Sequence, residues 1–81
     1  MNLNVTFSTE SEPVDRLATL AGRIAPTGPV MLAELDGQPV AAIGIRDGTT
    51  VADPARSTPA IATLLRMRRI EARLLAALGG V

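Results

Sequence analysis

The stretch "VMLAELDGQPVAAIGIRDGTTVADP", Val30 to Pro54, decides the fold. Its three apolar segments are divided by Asp36-Gly37 and Asp47-Gly48, and Asp-Gly supplies the positive φ that tight hairpins need, so the spacing predicts three consecutive strands in a meander. In the middle strand Val40, Ala42 and Gly44 fall on one side and Ala41, Ile43 and Ile45 on the other. Both sides are apolar or small, so that strand is expected to be covered on both faces.

Working outward toward the N-terminus, "NLNVTFS" alternates Leu3, Val5 and Phe7 with polar residues, the period of a strand with one wet face, expected at a sheet edge. "STESEP" follows with two rival helix caps. Thr9 and Glu12 have capping-box spacing, while Ser11 as the cap would place Pro13 in the tolerated first turn; either way the helix is expected to begin near Glu12. Val14, Leu17, Ala18, Ala21 and Ile24 then recur at helical spacing until "APTGP" breaks the helix.

Toward the C-terminus, Ser57 or Thr58 is the expected cap of a long helix with Pro59 near its first position, running to about Leu78 before a Gly79-Gly80 stop. At about 100° per residue, Ile61, Leu64, Leu65, Ala72 and Leu75 occupy one side and Met67, Ile70, Leu74 and Leu78 an adjoining one. A helix serving only its own sheet needs a narrower stripe. The second side, Met67, Ile70, Leu74 and Leu78, is therefore expected to meet another subunit. The whole chain, 1–81, reads as a single α/β (α+β) domain with a four-stranded, mainly antiparallel sheet and two helices in the order β-α-β-β-β-α.

Composition supports a self-assembling chain. Eighty-one residues lie near the size at which one core barely offsets backbone entropy. With no cysteine or histidine, neither a disulfide nor the usual zinc sets can help, which leaves oligomerisation, most simply a dimer. Apolar residues make up 47 % of the chain but aromatics only 1 %, so the core is built from Ala, Val, Leu and Ile.

Eight acidic residues balance eight arginines, which gives no global field toward nucleic acid or an anionic membrane. No apolar run approaches the roughly 20 residues of a membrane span, and "MNLNVTFSTESE" has neither a basic region nor a hydrophobic signal core, so a cytoplasmic location is expected.

The chain has no His, Cys, Lys or Tyr, which removes most common nucleophiles, acids and bases. Four candidate groups remain. Arg56 beside the helix start at Ser57 and Thr58 has the pattern of an anion cradle, with plain capping as the simpler reading. Arg66, Arg69 and Arg73 share one sector of the long helix; without stacking aromatics or a basic total charge they read as a solvated face and not a nucleic-acid grip. Arg68 and Glu71 suit either a local ion pair or reciprocal pairs across a symmetric interface. Glu34 shares a strand face with Val30 and Leu32, where a buried carboxylate would be a general base and a solvated strand end is the plainer reading.

The element order, with "VMLAELDGQPVAAIGI" as a central hairpin and "VADPARSTPAIATLL" as a strand, loop and helix, resembles the N-terminal part of the GNAT acyltransferase superfamily. The resemblance implies an N-acyltransferase ancestry and an acetyl-CoA site, with Arg56, Ser57 and Thr58 on the coenzyme A pyrophosphate. Ser57 and Pro59 stand where that superfamily has glycines. The leading expectation is accordingly a non-catalytic interaction or scaffold module without a cofactor, and the alternative is a minimal acyl-CoA binder.

Overall fold

The computed structural model describes residues 2–79. Strands β1 (Leu3–Ser8), β2 (Val30–Leu35), β3 (Gln38–Gly44) and β4 (Thr50–Ala52) form one sheet in the order β1-β2-β3-β4, every neighbour antiparallel. Helix α1 (Ser11–Ala21) joins β1 to β2, and α2 (Pro59–Gly79) follows β4. The expected α+β architecture, β-α-β-β-β-α, is the one observed. Gly80 of the expected stop lies outside the described residues.

The sheet lies between the two helices. On one face Val14, Leu17 and Ala18 of α1 pack with Val30, Leu32, Ala42 and Val51; on the other, Ile61 and Leu65 of α2 pack with Met31, Ala33, Val40, Ala41 and Ile43. The central strand β3 is thus covered on both sides, as its two apolar faces require.

The β2–β3 connection is a two-residue turn with positive φ at both Asp36 (52°) and Gly37 (81°), the form that matches strand twist. Asp36 also holds the start of β1, its Oδ1 accepting the Asn2 N–H at 2.8 Å while its own N–H donates to the Asn2 carbonyl at 2.8 Å.

Four local expectations are corrected. Helix α1 starts at Ser11, and its N-cap is Glu10, which makes no side-chain cap bond. Ser8 Oγ instead accepts the Glu10 N–H at 3.2 Å, so neither Thr9 nor Ser11 serves as the cap. The helix ends at Ala21 because Gly22 takes the left-handed conformation and closes it, with the Arg23 N–H on the Ala18 carbonyl at 2.9 Å; Ile24 is left 88 % exposed.

Val40 joins Ala41 and Ile43 on the α2 face, against strict alternation. The pairing shifts from Ala33↔Ala41 to Glu34↔Pro39, which leaves Val40 as the extra residue of a bulge. Pro39 has no N–H to give the ladder, and a bulge is where a central strand tolerates it. Finally, Leu75 is exposed and not sheet-packed. A 21-residue helix is about 31 Å long, whereas a six-residue strand spans only about 20 Å. The last turns of α2 overshoot the sheet.

Candidate functional site

The turn from β4 to α2 holds its own anion. Asp53 Oδ1 accepts the Ala55 N–H at 2.9 Å, and the Asp53 carbonyl accepts those of Arg56 (3.1 Å) and Ser57 (2.9 Å). Thr58 is the cap of α2: its Oγ1 accepts the Ile61 N–H at 3.3 Å and its carbonyl the Ala62 N–H at 3.1 Å. Pro59 contributes no N–H. The Arg56 guanidinium donates to the Leu35 carbonyl at 3.4 Å, tying this turn to the end of β2. Arg56, Ser57 and Thr58 therefore sit in one turn, in which the N–H groups of Arg56 and Ser57 and a guanidinium N–H of Arg56 are directed at protein acceptors.

The arginine stripe divides. Arg69 forks onto the end of β3 and the turn that follows, with Nε donating to the carbonyls of Gly44 (3.2 Å) and Ile45 (3.0 Å) and Nη2 to that of Arg46 (3.3 Å). Arg73 Nη1 donates to the same Arg46 carbonyl at 3.2 Å, while Arg66 stays exposed and donates to Thr63 Oγ1 at 3.2 Å. Two members of the expected solvated stripe thus clasp α2 to the β3–β4 turn. The planar fork of arginine suits three carbonyls as a lysine ammonium does not.

The clasped turn is tight. A Cβ at Gly44 would lie 2.6 Å from Asp47 Oδ1 and 2.8 Å from Pro26 Cβ, so the strand end has room only for glycine. Asp47 Oδ1 accepts the Thr49 N–H at 2.9 Å. That bond, with the Arg69 charge adding to it, holds the Asp47 carboxyl below the ordinary carboxylate value. A depressed carboxyl stabilises the fold above its unfolded-state pKa, and its contribution fades as pH falls through the lowered value. Arg69→Ala removes three charge-assisted bonds, two of them part-buried, and is expected to lower unfolding free energy by about 1–3 kcal/mol, with Arg69→Lys recovering only part in a urea titration.

Glu34 stands half-buried beside the bulge, paired across the sheet with Asn4 and Pro39. Arg68 and Glu71 form a local ion pair at 3.6 Å on the exposed surface of α2. Among the described residues no cluster of three or more Asp or Glu side chains is arranged to hold a metal ion, and no helix is long and apolar enough to cross a membrane.

Two apolar features of α2 remain. Beneath its overhang a cleft of about 500 Å³ is lined by Phe7, Pro29, Met31, Ile45, Leu75 and Ala76, with the Arg68–Glu71 pair at its rim. Phe7, the one aromatic residue, is 59 % exposed there on the edge strand β1, because α2 rests on β2 and β3. On the side of α2 away from the sheet, Met67, Ile70, Leu74 and Leu78 are 56, 56, 58 and 72 % exposed. The Arg69 clasp and the cleft carried no local sequence signal, since each joins residues more than 20 positions apart.

Comparison with protein-family models, with curated proteins and with solved structures finds no match to this chain.

Proposed function

We propose that this chain is a small non-catalytic interaction or scaffold module that assembles as a homodimer through the outward face of α2. One observation carries the reading: Met67, Ile70, Leu74 and Leu78 leave an apolar ridge in water on a helix already packed on its opposite side by Ile61 and Leu65. Fully burying such side chains stabilises by about 1.5–3 kcal/mol each, and a second copy is the partner every solution of the protein supplies. The absence of His, Cys, Lys and Tyr favours assembly over chemistry.

Light scattering at micromolar concentration tests the proposal. A mass of twice the 8.4 kDa chain is expected, and a monodisperse monomer overturns it. A second reading, a GNAT-like binder of acyl-CoA, is favoured by the strand, turn and helix order with Arg56 in the turn. Its signature is saturable coenzyme A binding that is lost in Arg56→Ala.

A further inference from the structure

Resting on that dimer, we propose that the two α2 helices pack parallel and in register, as a short two-stranded coiled coil. Ala60, Thr63, Met67, Ile70, Leu74 and Ala77 recur at alternating spacings of three and four, the a and d positions of a heptad, and all six are exposed. In that frame the sheet-facing residues Ile61, Leu65, Arg69 and Ala72 fall at b, f, c and f, on the back of the helix. One helix meets its own sheet on one side and its copy on the other without conflict. Its N-terminal half is already fixed by the sheet, which removes much of the nucleation cost that a free helix of this length carries.

Charge selects the orientation. Arg66 and Arg73 occupy g positions, and Glu71 and Leu78 occupy e positions. In a parallel pair each g residue faces the residue five positions later on the other helix, so Arg66 meets the partner's Glu71, twice by symmetry. An antiparallel pair with the same seam stacks Ala60 on the partner's Ala77 and Met67 on the partner's Ile70, and sets Arg66 beside the partner's Arg73, twice by symmetry. Both arginine contacts are repulsive. Among the described residues Arg66 is exposed and engages only Thr63, and Glu71 gives one oxygen to Arg68 at 3.6 Å, so both can take a partner across the seam.

Sedimentation equilibrium on the full chain separates the arrangements. With parallel helices, Arg66→Glu turns two attractions into two repulsions and raises the dimer Kd about ten-fold, and adding Glu71→Arg returns it to within about three-fold of the wild type. With antiparallel helices, Arg66→Glu lowers Kd by attraction to the partner's Arg73; a fall, or no change, overturns the proposal. A second readout uses the absence of native cysteine. Ala77→Cys places both sulfurs in one d layer of a parallel pair, so mild oxidation yields a covalent dimer, whereas antiparallel helices hold them about 25 Å apart and none forms. A wild-type chain that stays monomeric is a different result, and it removes the dimer on which the orientation rests.

Discussion

Leu74→Asp is expected to leave the chain folded and to make it monomeric. Leu74 lies on the overhanging part of α2, 58 % exposed and directed away from the sheet, so the monomer loses little when it becomes polar. Surface changes of this kind shift stability by about 0.5 kcal/mol or less. In the dimer the same site is a core layer of the seam, between Ile70 and Ala77, where a carboxylate from each chain would be desolvated against its copy. Dissociation should strengthen by at least about a hundred-fold, the scale of a core interface residue counted in both chains. Sedimentation velocity and circular dichroism on one sample check both halves. A variant that still dimerises places the interface elsewhere; one that unfolds shows that Leu74 supports the monomer.

Leu65→Ala should have the largest effect on the fold itself. Leu65 is fully buried where α2 crosses the sheet, within the cluster formed by Met31, Ala33, Val40, Ala41, Ile43 and Ile61. Truncating a buried leucine removes its transfer free energy and leaves a cavity, together about 2.7–5 kcal/mol. A domain of this size has only about 4–12 kcal/mol in all. The urea midpoint should fall sharply at an unchanged slope, and the thermal midpoint by more than about 10 °C. The effect is large because Ala33 and Ala41, both fully buried or nearly so on that face, are too small to collapse into the space. A shift below about 1 kcal/mol would mean that α2 is not seated on the sheet as described.

The parts of the fold that were legible in the sequence are those fixed by local chemistry. Asp36-Gly37 announces its turn because few residue pairs tolerate positive φ twice, and a Ser57 or Thr58 cap before Pro59 announces the start of α2, with Thr58 the one that caps. Alternation in β1 gave the edge strand. Pro39 was the one available signal for the bulge that turns Val40 toward α2, and Gly22 the signal that α1 stops before Ile24.

What was not legible depends on lengths and distant partners. The overhang of α2, and with it the exposure of Leu75, follows from comparing a 21-residue helix with six-residue strands. Whether Arg69 and Arg73 face water or a turn is decided by where the β3–β4 connection lies in space, 23 to 27 positions away in the chain. In the β4–α2 turn the sequence placed Arg56, Ser57 and Thr58 together. It left open that Asp53 would collect the N–H groups of the turn.

The central claim is that a second copy covers the outward face of α2. Amide hydrogen exchange read across a range of protein concentrations tests it most directly, because opening of a helix slows when its exposed face is buried. Exchange along Met67 to Leu78 is predicted to slow as concentration rises, while the amides of β2 and β3 hold a constant rate up to the same increment in global stability. Exchange independent of concentration, or concentration-dependent protection confined to the β1 edge, would contradict it.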